Sequence, residues 1–510
     1  MKINNIIASL CLLGTVSTAF VSCSKLTEEP YGIVNSNSFY KTADDAVSGL
    51  IYAYSILPEV GYYSRGFYII TELPTENLTA KSDAGQANRE LDELRTTSTN
   101  SDLDNLWTYM YRGIARANAV IANVPSVPNM PEADQNQVIG EGYFLRALHY
   151  FNLVRLYGEV PLRLEPLVEA GQIPVAKSSI EDVYDVIIAD LKQGEALMSS
   201  AKNFEGRANR VAAQALLAKV YLHLASSAAS NSTGYSFVSD ADAMYSDALT
   251  YADKVVNGQQ VFGFTDVLPD IWNTEVYKNA AVSEHIFDAA VDRSGEREAN
   301  YSKLPNMFLA DPGFEMTIPY NPSDPNSEMI NIGRGWNHFQ MEAHHYDSYN
   351  NTDKRKTDLI VSEVINTDGN LIELGINDFS RPFSRKYIDP LRDADKMSTN
   401  SPVIRYSDIL LVYAEAAGPT TAGYAAVNKI RNRAGLGTLA PNLSVAAFRA
   451  AVVEERALEL AFEGNRLFDL RRTNSMESVL VEKYGKSITS GAYFFPIPQR
   501  EVDSNPLMQP

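Results

Sequence analysis

Apolar side chains recur at three- and four-residue intervals along most of the chain, the repeat of a helix that buries one face. Between Asp102 and Val124, the positions Leu103, Leu106, Tyr109 or Met110, Ile114 and Ala117 share a side. From Ala133 to Tyr157, Val138, Phe144, Ala147, Leu148, Phe151 and Val154 do the same, and Gly158 stops the run. The same reading predicts helices over 38–54, 180–199, 207–229, 240–257, 407–417, 422–434 and 445–472. Within 210–222, Ala212, Ala215 and Ala218 alternate with bulky apolar residues. Small residues at that spacing let a second helix approach closely, as in tetratricopeptide-type hairpins. No strict 34-residue period recurs, so the array is degenerate.

Residues 261–404 break this pattern. They carry the turn-rich NPSDPN run (321–326), Gly333, Gly335 and Gly369, with short strand-like stretches at 359–361 and 371–374. The expected fold is mainly α: a degenerate helical-hairpin scaffold over 38–260 and 405–510, interrupted by a long irregular loop-rich insertion with short strands over 261–404. Large loops on a rigid scaffold are where function concentrates.

The first residues predict a compartment. Met1 and Lys2 form a short basic start, and 6–21 is apolar but shorter than the ~20 residues of a spanning helix, which fits a secretory signal over 1–22. The run ends Phe20-Val21-Ser22-Cys23, similar to a bacterial lipobox except that Phe20 stands where Leu is usual. The chain has two cysteines, Cys11 and Cys23. Cys11 leaves with the signal, so an exported chain with one odd cysteine points to lipidation of Cys23, with 23–37 as a lipidated tether.

Acidic residues outnumber basic ones, 63 to 44, for a net charge of −19, and such a field repels DNA and RNA. Nucleic acid is not an expected partner. Hydrophobic residues at 45% and charged residues at 21% argue against a disordered chain. The GxSxG, Walker A, HExxH and CxxC patterns are absent from the sequence. Gly435-Leu436-Gly437 follows a helix instead of a strand, so Gly435 reads as a helix cap and not as part of a dinucleotide loop. His344 and His345, flanked by Glu342 and Asp347, lack the spacing of a second ligand pair, and neither a metal nor a cofactor is expected. In 454–472, Glu463, Arg466 and Asp469 stand three residues apart, which reads as ion pairing along one helix face. Arg146, Arg405, Glu463 and Arg466 sit within apolar helical faces and are expected to be buried, paired scaffold groups.

Several ordered motifs together resemble the RagB/SusD family of outer-membrane nutrient-binding lipoproteins. They are GEGYFLRALHYF (140–151) with YGEVPL (157–162), VIRYSDILLVYAEA (403–416), NKIRNRAGL (428–436), the Glu455–Arg472 run, and Phe495-Pro496-Ile497-Pro498 followed by Asn505-Pro506. The resemblance implies a SusD-like fold and a surface-exposed lipoprotein of the cell outer membrane, acting as a lid on a SusC-like TonB-dependent transporter. It implies capture of an oligosaccharide or polysaccharide for nutrient uptake, with no catalysis. The alternatives are a peptide- or other-polymer-binding lid of the same family, an exported glycosidase, and a generic tetratricopeptide scaffold.

Sugars offer C–H faces that stack on aromatic rings and hydroxyls that need polar partners. Trp107 follows helical spacing and belongs in the core. The contact candidates are aromatics in irregular polar or glycine-rich sequence: Trp336 with Arg334 and Asn337, Trp272, and the Tyr62-Tyr63 pair. Glu76 and Asn77 join them, because similar proteins use the loop preceding the Trp107 helix.

Overall fold

A computed structural model describes residues 39–166, 174–201, 206–296, 300–488 and 493–508. The expected signal, Cys23 and the 23–37 tether lie outside them. Helices dominate, and the sequence reasons are local. Asn100, Ser179, Asn209 and Asp240 each accept a hydrogen bond from a first-turn backbone N–H of the helices Ser101–Asn123, Ile180–Leu197, Arg210–Ala229 and Ala241–Val256. The helix Glu132–Tyr157 ends at Gly158, whose φ is 75°. Each of these helices packs on its neighbour in sequence, and Tyr406–Ala417 closes against Ala241–Val256. Ala212, Ala215 and Ala218 are all buried in the central Arg210–Ala229 helix, as the close-approach spacing requires. Gly113 serves the same end: a Cβ there would lie 2.2 Å from Nε2 of His149.

Two expected helices differ. The first begins at Ala43, because Thr42 and Asp45 form a reciprocal capping box that sets the start. The run 445–472 is two helices, Val445–Glu459 and Arg466–Arg472, separated by a turn in which Phe462 and Gly464 have φ of 68° and 74°. The insertion uses the carbonyls this turn frees: Lys386 Nζ donates to Glu459 O and Ala461 O at 2.8 and 3.0 Å, and the Tyr387 hydroxyl donates to Phe462 O at 2.7 Å. The expected pairing of Glu463, Arg466 and Asp469 along one face is therefore wrong. Glu463 binds Lys386 and Arg405, Arg466 binds Glu76, and Asp469 binds Arg456 and Arg472.

The insertion holds a four-stranded antiparallel sheet in the order Leu371–Glu373, Glu363–Ile365, Met316–Pro319, Met329–Gly333. It covers its own small core of Leu309, Met316, Ile318, Ile332, Val364 and Phe383. One ribbon, Leu78–Ala80 with Phe339–Met341, joins the insertion to the scaffold, and a second, His285–Ala289 with Ser401–Arg405, pairs the two ends of the insertion. Beneath them runs a buried charge seam. Arg405 bonds Glu284, Glu459 and Glu463; Arg433 bonds Glu284 and Glu459; Arg355 bonds Asp353, Glu455 and Glu459. Burial disfavours ionisation of Glu459, yet Arg433, Arg405 and Arg355 hold its carboxyl down at about 2. Arg146, likewise buried, grips Asp190 through Nε and Nη2 at 2.7 and 2.8 Å and ties two helices together. Gly435, with φ of 72°, caps the Thr421–Arg433 helix, its N–H bonding Asn432 O.

Candidate functional site

Most of the expected contact residues are committed to the interior. Tyr62 and Tyr63 stack at 4.5 Å and are buried, with the Asn152 amide donating to both hydroxyls and His149 Nδ1 3.0 Å from Tyr62. Glu76 accepts from Arg466, and Asn77 donates to Glu72 at 2.8 Å; both are buried. Trp272 is 3% exposed and roofs the charge seam, with Lys386 Nζ 5.1 Å and the Arg405 guanidinium 5.6 Å from its ring centroid. These five side chains have no free face for a ligand, because glycine or polar neighbours in sequence did not keep partners distant in sequence from closing over them. Trp107 is in the core as expected. His345 is buried against Tyr349 and Phe462, and burial pushes its imidazole down to about 3, so it is neutral.

Trp336 and Arg334 come together on an accessible loop face, whereas Asn337, expected beside them, is buried. The segment follows the strand Met329–Gly333, and its backbone is pinned residue by residue. The N–H groups of Gly335, Trp336, Asn337 and His338 donate to the carbonyls of Ala310, Asn306, Leu309 and Met307 at 2.9, 2.5, 3.0 and 3.1 Å. Gly335 makes this approach possible, since a Cβ there would lie 2.1 Å from Leu309 O. The Trp336 ring is half-buried and packs at 5.8 Å from the His338 ring. Lys303, just before the helix Leu304–Phe308, places Nζ 6.0 Å from the Trp336 centroid and 5.7 Å from that of Tyr301. Lys396 Nζ stands 5.3 Å from the ring of Tyr301, which is itself buried, and paired backbone bonds between Ser302 and Met397 fix the two segments together.

The polar groups of this face are ion-paired and solvated. Arg334 is exposed and bonds Asp311 at 2.8 Å, a contact that holds the Asp311 carboxyl below its usual range. Lys303 pairs with Asp395 at 3.4 Å and Lys81 with Asp83 at 3.3 Å. Partial burial, and then the charges of Lys81 and Arg65, lower the His338 imidazole, so at neutral pH it offers one donor and one acceptor. Asn337 itself is buried, and its amide turns away to donate to Phe379 O. Tyr301, Lys303, His338 and Phe379 were not among the sequence candidates. Tyr301 and Phe379 do show the signal that found Trp336, an aromatic residue among polar neighbours in irregular sequence.

A cleft of about 460 Å³ lies elsewhere, lined by Ile51, Tyr54, Leu57, Arg207, Lys278 and Asp288. Its charges are engaged, Arg207 with Glu141 and Asp288 with His285, and 202–205 and 297–299 beside it lie outside the described residues. A flat polymer needs a ring face more than a deep pocket, so the Trp336 face is the better candidate. Among the described residues, no group of three or more His, Cys, Asp or Glu side chains is arranged to hold a metal.

Helical hairpins carrying a loop-borne aromatic face define a class of binding scaffold, and comparison with known proteins places the chain within it. The family model described as "SusD family" matches residues 373–509, and that described as "Starch-binding associating with outer membrane" matches 62–222. The chain belongs to the SusD/RagB family. A SusD-like protein P2 of Formosa agariphila is 25% identical over 522 residues, covering 96% of each chain. Among solved structures, a laminarin-binding SusD-like protein shares the fold with TM-score 0.74 and 24% identity, over 91% of this chain and 98% of that one. Surface glycan-binding protein A of Bacteroides thetaiotaomicron, in complex with laminarihexaose, gives TM-score 0.71 and 19% identity over 91% and 98%.

Proposed function

We propose that this protein captures a glycan on the Trp336 face at the outer-membrane surface and passes it to a SusC-like TonB-dependent transporter, without catalysing a reaction on it. The observation that carries the reading is the Trp336 segment. Four consecutive backbone N–H groups fix the segment that carries a half-buried indole beside His338 and Lys303, a preorganised ring face next to hydrogen-bonding groups. Relatives named for binding laminarin and starch support a glucan as the first ligand to test. The anchor in this reading is a lipid on Cys23. No helix among the described residues is long and apolar enough to cross a membrane.

Calorimetry with laminarin and with soluble starch tests the reading. The wild type should bind at least one of them, and Trp336→Ala, folded by circular dichroism, should lose roughly 5–30-fold in affinity, the worth of ~1–2 kcal/mol for one stacked ring. Turnover of either polymer would make the protein an enzyme and end this reading. Full wild-type affinity in the folded variant would move the site elsewhere.

A further inference from the structure

Phe379, tied through its backbone to the residue after Trp336, is left uncovered by the fold, at 60% exposure. A single exposed apolar residue is ordinary on a protein surface. What sets this one apart is how its backbone is held. The carbonyl oxygen of Phe379 accepts two side-chain amide bonds, from Asn337 Nδ2 and Gln340 Nε2, each 2.6 Å. Both donors are buried, so releasing either would leave a buried amide without its partner. Two residues on, Arg381 Nη1 donates to Met341 O at 3.1 Å, and four positions before the phenylalanine the Gly375 N–H bonds the Asp378 carboxylate at 3.1 Å in the turn that delivers the loop. The loop is therefore stapled to the Phe339–Met341 strand and its neighbour Asn337, with its largest apolar side chain left exposed.

The staple also fixes where the ring stands. Asn337 follows Trp336 directly, and one amide-to-carbonyl bond keeps the Cα atoms of Asn337 and Phe379 within about 9 Å of each other. Asn337 adopts φ of 53°, a left-handed conformation that turns its amide toward the loop while Trp336, its neighbour, stays at the accessible face. One residue pair thus couples the position of two rings from different loops.

Resting on the glycan reading above, we propose that Phe379 is a second stacking platform of the same site, and that Asn337 and Gln340 are positioning residues that hold it at a set distance from Trp336. A ligand with at least two ring faces, an oligomer or polymer and not a monosaccharide, is the class this arrangement selects. The Phe379 ring adds apolar contact area at little ordering cost, because its loop is already fixed.

The test uses the full chain and whichever of laminarin or soluble starch the wild type binds. Phe379→Ala should melt at the wild-type temperature and bind about fivefold or more weakly, with Phe379→Tyr restoring affinity. Gln340→Ala should weaken binding in the wild-type background and have no further effect on Phe379→Ala, a non-additivity that a merely structural role would not produce. Wild-type affinity in Phe379→Ala, with binding lost in Trp336→Ala, overturns the second platform and leaves the glycan site standing. Additive losses overturn the positioning role. If the wild type binds neither polymer, the glycan reading falls and the platform with it.

Discussion

Trp272, at the end of the short helix Leu268–Trp272, and Trp336, in a loop, both belong to the insertion, and each has a lysine near its ring: Lys386 Nζ at 5.1 Å from Trp272, Lys303 Nζ at 6.0 Å from Trp336. Their surroundings differ in what the lysine is bound to. Lys386 is buried and donates to two backbone carbonyls and to Glu463, so the Trp272 ring closes over charges from which water is excluded. There the effective dielectric is low and a ring face beside a cation is worth most. Lys303 is half-exposed and paired with Asp395, so water competes for it and the Trp336 ring keeps an accessible face. The same pair of residue types makes a structural roof in one place and a contact surface in the other, and burial decides between them.

The largest effect is expected from removing the centre of the buried side. Arg405→Ala would leave Glu284, Glu459 and Glu463 short of a partner in the interior and should destabilise the fold by about 3–5 kcal/mol, read as a shift in the urea midpoint. Trp272→Ala should follow closely, at about 3–4 kcal/mol for an emptied buried site. Trp272→Phe should cost much less, because the indole N–H is buried without a hydrogen-bond partner among the described residues and its loss removes no bond. A Trp272→Ala variant of undiminished stability would deny the roof its structural role.

The next effect is one of pH. Burial pushes the Glu72 carboxyl up to about 7, outweighing the bonds it accepts from Asn77 and the Gly464 N–H. Between about 4.5 and 7 the folded chain therefore keeps a proton that the unfolded chain has released, and stability falls as pH rises through that window. Glu459 works in the opposite sense: its stabilisation is complete above 4.5 and is lost as pH falls toward about 2. Glu72→Gln should flatten the decline between 4.5 and 7, by a few kcal/mol at most, and leave the acid limb unchanged. Urea midpoints measured across pH check this; an unaltered slope would show that Glu72 ionises freely in the fold. On the accessible side, Trp336→Ala should cost well under half the stability lost in Trp272→Ala while weakening glycan binding, which is the crossed pattern the comparison requires.

What could be read in the sequence follows the range of the forces involved. Helix starts at Asn209 and Asp240, the Gly158 stop and the alanine face of 210–222 depend on neighbours a few residues away, and the sequence displays them. The interruption at 460–465 does not follow from local propensity. It depends on Lys386 and Tyr387, more than seventy residues earlier, taking the freed carbonyls. The burial of Arg405 and Glu463 could be anticipated, since a charge on an apolar face needs a partner, but the partner's identity could not. The site shows the same division. Glycines around Trp336 marked a turn with room for a ring, whereas Gly61 and Ser64 around Tyr62 and Tyr63 gave no warning of Asn152, about ninety residues on. Glu76 is closed off by Arg466, 390 residues away.

Arg334 provides the smallest and most discriminating effect. It is the exposed member of the Trp336 segment, and its bond to Asp311 is a solvated surface pair of the kind that contributes little to folding. Arg334→Ala should therefore leave the melting temperature where it is, unlike Arg405→Ala, whose guanidinium meets three buried carboxylates. Its effect on glycan binding should be no more than about two- to threefold, because an arginine already satisfied by Asp311 must exchange one partner for another to reach a hydroxyl. Calorimetry of Arg334→Ala beside Trp336→Ala ranks the two contributions. A loss in Arg334→Ala larger than that in Trp336→Ala would mean that the face recognises its ligand chiefly by hydrogen bonding, and stacking would then be the secondary contribution at Phe379 as well.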